Sequence, residues 1–226
     1  MRKESVNGCI VPYNSSILEL KELLSRSDMV SFTLGCEALS QKAEIDSYDL
    51  LFSYLNHEDP YKRRCALEAI CHSCYKDKLS GMLEEKLLDS NIFVVKTALK
   101  MIYEEQIKVP KEKVIKVLLQ KGLEFDAYHF RSLIVVANEE DFKDCMEILK
   151  KYKSKKSLES VIIEILFNLA TDENWRLLYD LTKDHEKAQI RLIACKLLVK
   201  FNDIDELSKF ANDTDGHIRN FVKEKL

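Results

Sequence analysis

Three observations predict an all-α fold. The chain has only five glycines and three prolines among 226 residues, too few for the many tight turns of β-sandwiches, barrels or doubly wound α/β folds. Apolar residues recur at helical spacing along most of its length. Hydrophobic residues make up 46% and charged residues 32%, a balance that suits a folded chain and not a disordered one. The length favours one extended domain over two compact ones. A partly ordered tail over 1–14 and a single helical domain over 15–226 are therefore expected.

Short amphipathic helices are predicted over 17–24, 48–55, 79–88, 113–119, 142–152, 175–182 and 204–210. Longer ones fall between them. In 96–107 the residues Ala98, Leu99, Ile102 and Tyr103 form one stripe. The segments 157–170 and 191–201 are apolar over a wider arc, as expected for helices sandwiched between neighbours. Asp59-Pro60 supplies an N-cap followed by proline at the first helical position, and Pro110 precedes another start. Asp172, Asp203 and Asp213 are placed as caps of later helices.

The chain also resembles itself. Segments opening at Asp59, Asn91, Lys187 and Asp215 each carry a polar residue, a turn, and then a pair such as Lys62-Arg63, Val94-Val95, Ile190-Arg191 or Ile218-Arg219. A small or β-branched residue follows three positions later. Weaker copies run from Phe130-Arg131 to Ile134 and from Leu158-Glu159 to Ile162, and Gly35 occupies the same point in a still weaker one. The small-residue positions 35, 66, 98, 134, 162, 194 and 222 recur about every thirty residues, the length of one helical hairpin.

This short-helix, long-helix alternation with its Asp…Val/Ile-Arg-x-x-Ala pattern resembles the HEAT-repeat family, most strongly over 59–75, 89–106 and 184–226. The resemblance implies a right-handed α-solenoid of six to seven hairpins. It also implies that the arginine reaches an aspartate of an adjacent repeat. Arg63, Arg131, Arg191 and Arg219 match that arginine, whereas Val95 and Glu159 depart from it and would interrupt a ladder. A small residue after the arginine lets two helices approach closely, and the terminal helix, with Phe221 and Val222 inward and Lys223 and Lys225 outward, would cap the stack.

Lysine plus arginine total 35 against 38 aspartates and glutamates, without the basic excess of a dedicated nucleic-acid binder. Residues 106–156 are locally basic, with Lys150, Lys151, Lys153, Lys155 and Lys156 close together, a run that reads first as a solvated loop. The seven cysteines are odd in number and irregularly spaced, and most sit in apolar helical runs. Free thiols of a cytoplasmic protein explain this better than a disulfide framework. The start is polar with no apolar core behind it, and no run approaches the length of a membrane span.

Isolated glycines (Gly8, Gly35, Gly81, Gly122, Gly216) exclude the usual phosphate-cradling loops. The best metal candidate is Cys65, Cys71, His72 and Cys74 with His57 upstream, but no second ligand pair is present. His57, His129, His185 and His217 fall at hairpin turns and read as cap or turn residues. Trp175 reads first as packing, with a partner anchor as the alternative. Tyr61 and Phe93 share one repeat position, with His129 equivalent and Tyr128 adjacent. They form either an edge row that grips a partner or a set of staples closing each turn.

These features lead to a non-enzymatic module, monomeric and without cofactor or metal, that binds another protein or an acidic peptide by its concave face or hairpin-turn edge. Phasing from the small residues places Arg64, Glu68, Lys96, Lys100, Leu192 and Lys196 outward, with Tyr61, Phe93 and Tyr128 on the edge. Two alternatives follow from the same resemblance. One is an alkylpurine DNA glycosylase-like enzyme, for which Asp126 beside Phe125 and Tyr128 is the nearest match to a catalytic aspartate. The other is an accessory protein of the phycobiliprotein lyase type, for a bilin chromophore.

Overall fold

The computed structural model describes residues 5–6, 8–42, 44–73, 79–120, 124–152 and 155–226. It is all-helical apart from a two-residue antiparallel ribbon, β1 (Ser5–Val6) and β2 (Cys9–Ile10), in which Ser5 faces Ile10 and Val6 faces Cys9. The chain divides into two compact units, Met1–Val117 and Leu118–Leu226. No helix among the described residues is long and apolar enough to cross a membrane.

In the first unit α1 (Ile17–Ser25) opens on a capping box between Ser16 and Glu19, and α2 (Met29–Ser40) on the Asp28 side chain. Next comes α3 (Ile45–Ser53), which tightens into a 3-10 turn over Tyr54–Asn56. The remaining helices are α4 (Pro60–Cys71), α5 (Leu79–Lys86) and α6 (Ile92–Glu104), and α7 (Lys111–Leu119) runs across the boundary, its last two residues belonging to the second unit. Asp59 caps α4 with Pro60 in its first turn, as the sequence predicts. The longer helices α2, α4 and α6 pack on one another in succession, and α1, α3 and α5 each pack on the longer helix that follows. Gly35 sits in the middle of α2 because α1 is so close: a Cβ there would lie 3.0 Å from Leu24 Cδ2.

The second unit repeats the scheme. It holds α8 (Ala127–Phe130), α9 (Ser132–Val136), α10 (Phe142–Tyr152), α11 (Lys156–Leu169), α12 (Trp175–Thr182), α13 (Ala188–Lys200), α14 (Ile204–Ser208) and α15 (Gly216–Lys225). Helices α8, α11, α13 and α15 contact each other in succession, α10 packs on α11 and α12 on α13, and α14 runs into a 3-10 turn that packs on α15. Two caps differ from expectation. Asn174, not Asp172, precedes α12, accepting the Thr171 N–H at 2.9 Å. Asp215 caps α15, while Asp213 has another use described below. The weak copy at 130–134 is a broken helix, interrupted at Arg131. Ile134 is 47% exposed, whereas Ala66, Ala98, Ile162, Ala194 and Val222 at the corresponding positions are buried.

Both α6 and α13 end on a left-handed residue that is not glycine, Gln106 (φ 54°) and Asn202 (φ 55°). In each, the next N–H reaches back to a carbonyl five residues earlier, Ile107 to Ile102 at 3.1 Å and Asp203 to Leu198 at 2.8 Å, which closes the orphan helix end. Polar residues thus do here what glycine does in most chains, consistent with the small number of glycines.

Three of the four arginine positions, Arg63, Arg191 and Arg219, share one geometry, while Arg131 lies at the helix break. Arg63 Nη1 donates to the carbonyls of His57 and Glu58, Arg191 Nη1 to those of His185 and Glu186, and Arg219 Nη1 to those of Asp213 and Thr214. Arg63 then forks onto Asp89 at 2.8 and 2.7 Å, and Arg191 onto Asp213 at 2.9 and 2.7 Å, one hairpin further along the chain. Each aspartate also accepts an N–H two residues on, from Asn91 and Asp215. Burial pushes the Asp89 carboxyl up, but the Arg63 guanidinium and the Asn91 N–H more than offset it and hold it below the usual carboxylate range. The Arg191 hydrogen bonds hold Asp213 below that range too.

At Glu159 the arrangement is reversed rather than missing. His185 occupies the place that Asp89 and Asp213 hold in their repeats, its Nδ1 accepting the Lys187 N–H at 3.0 Å. Its Nε2 lies 3.3 Å from Glu159 Oε1, and Lys187 Nζ lies 3.4 Å from Glu159 Oε2. The acid and base have exchanged sides.

Candidate functional site

Most chemistry-bearing residues that the sequence singles out have local structural roles. His57 Nδ1 accepts the Asp59 N–H at 3.0 Å, just as His185 accepts from Lys187, so both lock the turn ahead of a helix. His129 does so one step differently, accepting the Asp126 N–H at 3.3 Å. Asp126 caps α8 by accepting the Tyr128 N–H at 2.9 Å, and its carboxylate lies 2.8 Å from His129 Nδ1. Trp175 is buried and stacked on Phe201 at 5.1 Å, with the Arg176 guanidinium 4.2 Å from its ring.

Among the described residues no group of three or more histidine, cysteine or acidic side chains could hold a metal. Cys74, one member of the candidate set, lies outside them. Cys36, Cys65, Cys71, Cys145 and Cys195 are buried. Burial pushes the Cys145 and Cys195 thiols up to about 12, away from the thiolate state that nucleophilic or metal chemistry needs.

In the basic run, Lys150 pairs with Glu147 at 2.8 Å and Lys155 with Glu124 at 3.1 Å. Lys151 Nζ donates to the carbonyls of Leu118 and Gln120, capping the end of α7. The side chains of Lys153 and Lys156 lie outside the described residues.

Six of the expected surface residues belong to the first unit. Tyr61 is half-buried, its hydroxyl 2.6 Å from Thr33 Oγ1 on α2, so it joins α4 to α2. The Arg64 guanidinium lies over the Tyr61 ring at 5.1 Å. Phe93, at the same repeat position as Tyr61, is 59% exposed. Lys100 donates to Glu68 at 2.9 Å and lies 3.6 Å from Glu104. Burial opposes its charge, but the two carboxylates outweigh it and hold the ammonium above its usual value. Its charge is therefore matched by Glu68 and Glu104, while Lys96 on the same helix is half-buried. Of the three in the second unit, Lys196 is exposed and Leu192 half-buried on α13, and Tyr128 is half-buried with Arg131 5.8 Å from its ring.

A large concavity lies elsewhere in the second unit, among residues that the repeat pattern does not mark. It is an open groove of about 1050 Å³ between α10 and α12. Its apolar lining comes from Phe142, Met146, Leu177 and Leu181. Leu177 is 59% and Leu181 44% exposed, one turn apart on α12, while Trp175, Leu178, Tyr179 and Thr182 form the buried side of the same helix. Glu139, Glu140, Glu147, Asp172, Glu173 and Asp180 also line the groove, against two lysines, Lys143 and Lys150. A second hollow of about 530 Å³, lined by Leu133, Ile134, Ala137 and Ile165 among others, shares Glu139 and Glu140 with it.

Three acids at the N-terminal ends of α10 and α12, Glu139, Asp172 and Glu173, are not consumed as caps. Asn138 and Asp141 close the turn into α10 and Asn174 the turn into α12. Glu139, Asp172 and Glu173 are exposed, and no cation among the described residues pairs with them. The sequence signal was present in Trp175–Thr182: one apolar stripe suffices to bury a helix against its partner, and Leu177 and Leu181 are surplus to it.

The chain matches no protein-family model and no curated protein sequence.

Proposed function

We infer that the chain is a HEAT-like helical-repeat module of six to seven hairpins, a monomer of the cytoplasm, that binds another protein and catalyses no reaction. The repeat part of this reading is supported by the Arg63–Asp89 and Arg191–Asp213 forks with their identical carbonyl contacts. The binding part is carried by one observation: Leu177 and Leu181 stay exposed on a helix whose other side already buries an apolar stripe. Exposed apolar side chains grouped in a concavity and rimmed by charge mark interaction sites. An acidic peptide on the α4–α6 face has less support, because Glu68 and Glu104 already match Lys100. DNA-directed chemistry has less still, since Asp126 is a helix cap and the groove is acidic.

The test is affinity capture of the tagged chain from its source lysate at low and high salt, with proteins read by mass spectrometry and nucleic acid by absorbance. A stoichiometric protein partner retained at both salts is the expected result. Nucleic acid held at low salt and lost at high salt, with no protein partner, would overturn the reading, because phosphate-driven binding is steeply salt-dependent.

A further inference from the structure

We propose that the groove between α10 and α12 is the docking site for a basic amphipathic helix of a partner protein, with its apolar side on Leu177, Leu181 and Met146 and its lysines or arginines toward Glu139, Asp172 and Glu173. The proposal rests on the interaction-module reading and names the chemistry of the partner.

Size argues first for a macromolecular segment. The groove is open and holds about 1050 Å³, at or above the upper end of roughly 300–1,000 Å³ for enclosed small-molecule pockets. Shape argues for a helix. The lining comes from two neighbouring helices, and the exposed leucines are spaced i, i+4 along one of them, which offers ridges to a third helix packed alongside.

Charge argues for a basic occupant. Lys143 and Lys150 are outnumbered by the lining carboxylates, and Lys150 is already paired with Glu147. Asp180 is likewise paired, with Lys183 at 2.8 Å. The other lining carboxylates include Glu139, Asp172 and Glu173, which precede α10 and α12 in the chain, and they would select basic residues of the incoming helix and speed its association. An acidic segment would meet repulsion there.

The experiment titrates the full chain against a fluorescein-labelled peptide of leucine and lysine at amphipathic helical spacing, about 18 residues long, and follows anisotropy. A leucine–glutamate peptide of the same pattern is the control. Two variants are compared with the parent: Leu177→Ser with Leu181→Ser, and Asp172→Lys with Glu173→Lys. All four positions are exposed, and circular dichroism melting verifies that each variant folds. The proposal expects saturable binding of the leucine–lysine peptide only. Each double variant should weaken it about tenfold or more. Raising ionic strength from about 0.1 M to about 1 M, which shortens the screening length from ~10 Å to ~3 Å, should weaken binding to the parent more than to the charge-reversed variant. Equal binding to parent and variants, preference for the leucine–glutamate peptide, or no binding at all would each overturn it. If the peptide fails while lysate capture still returns a stoichiometric partner that both groove variants retain, the docking site is wrong and the interaction-module reading stands. If capture returns no protein, that reading fails by itself.

Discussion

Glu159 Oε1 lies 3.3 Å from His185 Nε2, at the place in the repeat where Arg63 meets Asp89 and Arg191 meets Asp213. The contact preserves an acid–base link between successive hairpins with the partners exchanged. It follows that the link is a property of the pair, and that either residue alone is out of place without the other.

Exchanging the pair back tests this. Glu159→Arg alone would set a guanidinium against His185 and Lys187, and His185→Asp alone would set a carboxylate against Glu159. Each single change is expected to cost about 1–3 kcal/mol. The double variant should regain most of the loss by rebuilding an Arg–Asp fork of the kind at Arg191. Thermal unfolding of the four proteins closes the cycle, and simple additivity of the two losses would contradict the pairing.

The aspartates at the other two links predict acid sensitivity. Asp89 and Asp213 titrate lower in the folded chain than the usual aspartate value of about 3.9, so the unfolded chain binds more protons as pH falls. Their contribution is fully present above about pH 4 and is lost as pH drops through the depressed folded values. Melting temperature should fall steeply between about pH 4 and pH 2, and Asp213→Asn should lower it at neutral pH while flattening that acid limb.

Close approach of α1 and α2 at Gly35 gives an opposed pair of outcomes. Gly35→Leu drives a side chain into Leu24 and should destabilise the chain by about 1–3 kcal/mol. Gly81→Ala, in α5 with nothing within 4 Å of the new Cβ, should stabilise it by about 0.5–1 kcal/mol. Melting curves of both variants decide the matter, and a stable Gly35→Leu protein would show that the two helices are not held so close.

Thiol accessibility follows from burial. Under native conditions iodoacetamide should modify Cys9, which is exposed, and leave Cys36, Cys65, Cys71, Cys145 and Cys195 intact until denaturant is added. Peptide mass mapping reads the sites directly.

Much of the scaffold is legible in the sequence because it depends on local signals. The bounds of α10 and α12, the Asp59-Pro60 start and the Arg63 and Arg191 positions all follow from spacing and capping chemistry. What escapes is pairwise or surplus. Glu159 reads as a break in a ladder because its compensating partner, His185, lies in the next hairpin and is chemically unlike aspartate. Ile134 reads as a core position because it is aliphatic, yet the break at Arg131 turns it outward. Lys100 reads as an outward-facing cation, and its pairing with Glu68 escapes because Glu68 comes from another helix. Leu177 and Leu181 fall unmarked inside the predicted helix 175–182, because periodicity cannot separate an apolar residue that is buried from one that is exposed.

The most direct measurement of the central claim, that this is a protein-binding module working through α10 and α12, places a photo-crosslinking residue at Leu177 and, separately, at Lys96. Both proteins are irradiated in source cells. The account predicts one discrete protein adduct from Leu177 and none from Lys96. An adduct confined to Lys96, or nucleic acid in place of protein at either position, would contradict it.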